Sequence, residues 1–173
     1  MVNLSRFVAF TIGVSLFAAG AVRADDMKEA ASTLKMSKPV VCLKIHGFGS
    51  FEELPDAKLT PDDKLTIYYE PSGFRTEKVK DGYRARFSED GKLRKKGSKD
   101  TVWKKDDLFQ YEAINKSPPY QIYLKTDVSI KALAPGEYEL DLTLHDRLDK
   151  RDVALTKTVA FTVYILPEPK PQP

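Results

Sequence analysis

Leu133-Ala134-Pro135-Gly136-Glu137-Tyr138, running directly into Glu139-Leu140-Asp141-Leu142-Thr143-Leu144-His145, is the stretch that decides how this chain folds. Pro135 presets φ for a turn and Gly136 frees the backbone after it, so the pair marks a corner. Past the corner, Tyr138, Leu140, Leu142 and Leu144 fall on one side of an extended chain. Glu137, Glu139, Asp141, Thr143 and His145 fall on the other. A period of two is the signature of a half-buried β-strand. Asp146–Lys150 reads as a polar turn, after which Val153, Leu155, Val159, Phe161, Val163 and Ile165 return on one face, interrupted only by Lys157. Burying each such side chain is worth about 1.5–3 kcal/mol before the entropy of ordering is subtracted, which makes this hairpin the expected spine of the core.

The same period recurs upstream. Val41, Leu43 and Ile45 alternate with Cys42, Lys44 and His46 until Gly47 and Gly49 intervene. Leu65, Ile67 and Tyr69 form a second short run, stopped by Pro71-Ser72-Gly73. Asp81-Gly82 and Asp90-Gly91 are pairs that type I′ hairpin turns favour, and Tyr83, Ala85 and Phe87 alternate between them, so Phe74–Leu93 reads as a meander of two or three strands. Asp106–Ile114 suits either a short helix or a strand. Ser117-Pro118-Pro119 breaks the chain, and Tyr120, Ile122, Leu124, Val128 and Ile130 resume the alternation. Strands separated by frequent turn signals, with no convincing long helix, predict an all-β chain: an antiparallel β-sandwich of about seven to nine strands over residues 39–166.

Residues 1–24 read as a signal peptide: Arg6 precedes an apolar run from Phe7 to Val22, and Val22-Arg23-Ala24 supplies a cleavage site before Asp25. The run is shorter than a membrane span and no second one follows, so the expectation is export, to the periplasm or outside the cell, with no integral membrane segment after cleavage. Residues 25–38 form a polar lead-in. Residues 167–173 place proline at every second position and read as an extended polyproline tail. Removing Arg6 and Arg23 from the 28 basic residues leaves 26 against 25 acidic ones, a net of +1, which argues against bulk attraction to nucleic acid. Cys42 is the only cysteine, so the core stands without an intramolecular disulfide.

Leu133, Pro135, Gly136 and Tyr138 carry a resemblance. The Leu-x-Pro-Gly-x-Tyr run is similar to the corner that leads into the penultimate strand of immunoglobulin-like and fibronectin-type-III-like sandwiches. The resemblance implies that the Tyr138 hydroxyl returns to backbone a few residues upstream and pins the crossover between sheets. From Cys42 to Val163, with Gly47-Phe48-Gly49 near the first strand, the layout also resembles uncharacterised exported bacterial proteins. There is no Cys-Trp-Cys spacing, which excludes an antibody-type domain, and the corner speaks for fold rather than for function.

No residue pattern here announces chemistry. His46 and His145 are the only histidines, and with Cys42 they fall short of the three or four N/S ligands of a zinc site. Cys42 shares a strand face with Lys44 and His46, opposite the apolar set, and has no base within reach along that strand; a buried or half-exposed structural thiol is the plainer reading. Asp146, Asp149 and Asp152 recur every three residues but interleave with Arg147, Lys150 and Arg151, which suits a solvated, salt-linked turn better than calcium. No metal or cofactor is expected. The anomaly is a basic hairpin over Lys92–Lys105: Lys92, Arg94, Lys95, Lys96, Lys99, Lys104 and Lys105 surround Trp103 against Asp100 alone. It suits a grip on an anionic envelope polymer with Trp103 stacking on a ring, but the plainer reading is an edge hairpin whose lysines deter sheet aggregation. The expectation is a non-enzymatic binding module for a protein partner or an envelope polymer, with edge-strand pairing as one mode and no specific nucleic acid. The alternative is a carbohydrate-active or other hydrolytic enzyme whose carboxylate site no sequence spacing reveals.

Overall fold

The computed structural model describes residues 33–166; the expected signal segment, residues 25–32 of the lead-in and the proline-alternating tail lie outside the described residues. The chain is all-β. Its strands are β1 (Lys35–Met36), β2 (Val40–Gly47), β3 (Ser50–Glu53), β4 (Lys58–Leu59), β5 (Lys64–Tyr69), β6 (Pro71–Ser72), β7 (Glu77–Val79), β8 (Gly82–Lys95), β9 (Thr101–Asn115), β10 (Leu124–Ser129), β11 (Gly136–Asp146) and β12 (Ala154–Val163). One sheet has the order β10-β5-β2-β3. The other runs β4-β12-β11-β8-β7, with β9 also paired to β8; β1 and β6 form a small ribbon. Every pairing is antiparallel except β12 with β4.

The two larger sheets share one hydrophobic core. Leu65, Ile67 and Tyr69 of β5 and Leu124 and Val128 of β10 meet Ala85, Phe87 and Leu93 of β8, Leu140, Leu142 and Leu144 of β11, and Val159, Phe161 and Val163 of β12. The β11–β12 hairpin is the spine its alternation predicts, in unbroken register from Gly136↔Val163 to His145↔Ala154. At its start the Tyr138 ring is buried against Phe161, and its O–H donates to the Ala134 carbonyl at 2.8 Å. Pro135 and Gly136 turn the chain between those two atoms, which is why the hydroxyl can reach four residues back.

The core is not wholly apolar. Glu89 of β8 is fully buried and accepts hydrogen bonds from the Tyr69 hydroxyl of β5 and, at 2.7 Å, from the Thr126 hydroxyl of β10. A buried polar group without partners costs about 1–3 kcal/mol, so these donors from the facing sheet make the position tolerable.

Several sequence expectations are corrected. Asp90-Gly91 is no turn: β8 runs straight through it, because Gly91 lies under side chains of the neighbouring strand. A β-carbon there would come within 2.8 Å of Leu108 Cδ2 and 3.1 Å of the Trp103 ring. The reversal instead falls after Lys95, where Gly97 has φ +74. Of the two readings open for Asp106–Ile114 the strand is the one found, with Asp107 at φ +50 where β9 carries extra residues relative to β8. In β2, Leu43 is 63% exposed because a register shift between Cys42 and Lys44 pushes it out, and Cys42 is buried beside Val41 rather than sharing an outer face with Lys44 and His46. Ile165 is also exposed, β12 having ended at Val163. In the turn after β11, Asp146 and Asp149 are buried caps: Asp146 accepts the amides of Arg75 (2.7 Å) and Leu148 (3.1 Å), and Asp149 holds the Arg151 amide and guanidinium. The described end of the lead-in joins the core through Met36, on the strand that pairs with β6.

Candidate binding surface

The basic hairpin is a genuine hairpin, formed by the end of β8 and the start of β9 at the open edge of its sheet. Its cations fall into two groups. Arg94 reaches Glu139 (2.9 Å) and Asp141 (3.4 Å) on the outer face of β11, Lys96 reaches Glu137 (2.9 Å), and Lys104 reaches Asp106 (2.8 Å). The carboxylates beside Lys96 and Lys104 hold both ammonium groups above their ordinary value. Lys92, Lys95, Lys99 and Lys105 have no ion-pair partner among the described residues. Lys92 and Lys104 stand opposite each other across β8 and β9, with Asp106 beside Lys104 and Asp141 opposite Lys92 on β11 to offset their repulsion.

Trp103 does not project with the lysines. It pairs with inward-facing Leu93, is half-buried against the core, and covers Gly91. The indole therefore fills the place of a missing side chain on β8, so it is a packing residue as well as a candidate stacking surface.

A second polar cluster lies further along β8. His145 Nε2 is 2.8 Å from Asp90 Oδ2, and its Nδ1 is 3.8 Å from Asp152. Burial alone pushes the Asp90 carboxyl up, but the Asp107 amide, His145 and Arg147 outweigh it and leave it below the usual carboxylate range. Arg147 donates from Nε to the Ser88 hydroxyl at 2.7 Å and also approaches Asp107 (3.5 Å) and Asp152 (3.6 Å). Ser88, Asp107 and Arg147 of this cluster border a cleft of about 400 Å³, lined also by Arg86, Gln110 and Tyr111, among others. Ser88 is bonded to a guanidinium rather than to the imidazole, so it lacks the base that activates a serine nucleophile. His46 sits at the surface against Glu52 at 2.8 Å. Burial, with Glu53 adding to it, pushes the Cys42 thiol up, and its S–H points to the Val40 carbonyl at 3.5 Å, the opposite of an activated cysteine. Among the described residues no group of three or more His, Cys, Asp or Glu side chains is placed to hold a metal.

A third feature escaped the sequence reading. Phe51, Tyr68 and Tyr123 form a ring row across β3, β5 and the segment entering β10, with centroids 4.5 and 5.5 Å apart. Tyr68 is buried within the row. Its hydroxyl donates to Glu70 and accepts the Gly49 amide at 2.7 Å; burial first, then Glu70, pushes it up to about 12. Phe48 and Tyr120 flank a neighbouring cleft, and Tyr120 is 80% exposed. The signals were present in Gly47-Phe48-Gly49 and in two tyrosines just past Pro118-Pro119, but an alternating pattern does not reveal which strands lie side by side.

Compared with models of known protein families and with curated proteins, the chain matches none. Among the described residues no helix is long and apolar enough to cross a membrane.

Proposed function

We propose that this chain is an exported, non-enzymatic binding module on an immunoglobulin-like β-sandwich, and that its basic hairpin grips an anionic envelope polymer. The single observation that carries the binding reading is that Lys92, Lys95, Lys99 and Lys105 of the β8–β9 hairpin make no ion pair among the described residues. In a mature chain of net charge +1, lysines without an ion pair on one hairpin raise the local positive potential, most of all at Lys95, Lys99 and Lys105, since Lys92 lies opposite Asp141. Arg94, Lys96 and Lys104, held by carboxylates, give that hairpin a fixed shape.

Three features support the immunoglobulin-like reading: the order β4-β12-β11-β8-β9 facing β2-β5-β10, the parallel contact of β4 with the last strand, and the Tyr138 hydroxyl returning to Ala134. Export rests on the signal-like segment of residues 1–24.

The test is retention on an immobilised sulfated polysaccharide. The parent chain is expected to bind at low salt and elute as salt rises, since exposed ion pairs are screened. Lys95→Glu, Lys99→Glu and Lys105→Glu together should abolish retention. Lys44→Glu, Lys78→Glu and Lys131→Glu together change the net charge equally but lie off the hairpin, and should leave most retention intact. Equal behaviour of the two triple variants overturns the reading.

A further inference from the structure

We propose that the free edge of β10, together with the apolar face of β9 beside it, is a receptor groove for an extended strand of a partner polypeptide with apolar side chains at every second residue. The proposal is independent of polymer binding by the lysine hairpin and goes beyond it.

Three observations converge. First, β10 ends its sheet: it pairs with β5 on one side, and on the other no strand stands against it among the described residues. Its register with β5 runs unbroken from Leu124↔Tyr69 to Ser129↔Lys64, so no bulge interrupts it. From Gln121 to Ile130 exposed and buried residues alternate without a fault, which extends the same geometry upstream through residues that lie outside every strand pairing.

Second, the two sheets do not match in width. Glu89 of β8 bonds to both Tyr69 of β5 and Thr126 of β10, so β8 already stands over the edge strand of the opposite sheet. β9 lies one strand further out, and among the described residues no strand lies over it. Its inward residues, Phe109 and Tyr111, are the register partners of inward Glu89 and Phe87 and are only partly covered.

Third, those rings and the free edge bound one groove of about 340 Å³, lined by Phe109, Tyr111, Gln121, Ile122, Tyr123 and Lys125. Neighbouring strands lie about 4.8 Å apart and stacked sheets about 10 Å apart, so a strand added to β10 would lie directly over β9.

The chemistry of the groove names its occupant. A row of alternating backbone N–H and C=O groups is met by another extended polypeptide, and a glycan does not supply that pattern. The β9 floor calls for an apolar side chain at every second position, while the opposite side of the added strand, beside Tyr123, Lys125 and Asp127, calls for polar ones. The other long edge, on the far side of β9, is unsuited to the same task. It is broken by register shifts and by Asp107 at φ +50, and it carries Lys104 and Lys105, devices that frustrate strand addition.

The experiment is selection of random peptides of about 12 residues, long enough for a typical strand, against the full chain. Selected peptides should alternate apolar and polar residues. Methylating alternate amide nitrogens should cost at least about tenfold in affinity, because the side chains stay and the ladder is lost. Tyr111→Glu should cost as much. In case that variant misfolds, a photoreactive group within the peptide should label residues of the 109–125 surface in the parent chain. Failure to select any peptide, selection of non-alternating ones, tolerance of methylation, or labelling elsewhere overturns the proposal. So does a groove filled by a second copy of this chain, seen as a dimer whose cross-link joins residues 109–125 to its own sequence.

Discussion

Glu89 is fully enclosed between the sheets, and an ionised carboxylate so enclosed costs several kcal/mol even after the protein relaxes around it. Burial therefore pushes its carboxyl above the ordinary glutamate range. The Tyr69 and Thr126 hydroxyls pull the other way without cancelling that, and Asp90 adds to the rise. The same enclosure, with Glu89 opposite, pushes Tyr69 upward too. A raised carboxyl binds a proton more tightly folded than unfolded. Its stabilising contribution is thus complete below the unfolded value of about 4.3 and is lost as pH climbs through the folded value. Asp90 and Asp127 are lowered, so their contributions are present above their unfolded values and are lost as pH falls, which confines them to the acid side. Denaturant titrations from pH 5 to 9 should therefore show stability declining with pH in the parent and a flatter profile in Glu89→Gln, whose amide oxygen still accepts one hydroxyl. Parallel profiles for the two proteins would mean that Glu89 titrates as an ordinary acid.

At the level of strands, the β8–β9 pair turns on what covers Gly91. Leu108 and Trp103 occupy the space a β-carbon would need, and the nearer obstacle, Leu108 Cδ2, is the end of a flexible side chain. Gly91→Val should cost about 1–3 kcal/mol, the usual penalty of overpacking. Combining it with Trp103→Ala, which vacates part of that space, should cost less than the sum of the single changes, a coupling that equilibrium unfolding of the four proteins measures directly. This position also explains where sequence reading succeeds and fails. The β11–β12 hairpin was legible because each residue's face is fixed locally by period two, and the corner because Pro135, Gly136 and Tyr138 carry their geometry within six residues. Asp90-Gly91 was misread because glycine serves a tight turn and a close approach equally well; only the strand that crosses it distinguishes the two. Leu43 was misread because a one-residue slip against β3 is invisible in β2 itself. The basic hairpin could be seen as charge, but the division into paired and unpaired lysines depends on acids of β11, some forty residues away in sequence.

For the molecule as a whole, cohesion rests on one core shared by both sheets, and Cys42 offers a way to measure it. It is the single cysteine of the chain, 4% exposed, with its thiol pushed up by burial, so a thiol reagent reaches it only when β2 opens. Labelling in native buffer should be at least about a hundredfold slower than in denaturant, the ratio reporting the free energy of opening. Leu140 lies in the other sheet, fully buried on β11, and Leu140→Ala should remove about 2–5 kcal/mol. If the shared core makes the two sheets open together, that distant change must accelerate Cys42 labelling by more than about tenfold, since 1.4 kcal/mol corresponds to a factor of ten. If β2 instead frays alone, the labelling rate will ignore Leu140 while global unfolding shifts. Reductant should alter neither rate nor midpoint, because a lone enclosed thiol has nothing to reduce. An unchanged labelling rate in Leu140→Ala would therefore separate the two sheets energetically, and only a coupled response fits a core in which Glu89 of one sheet is bonded to Tyr69 and Thr126 of the other.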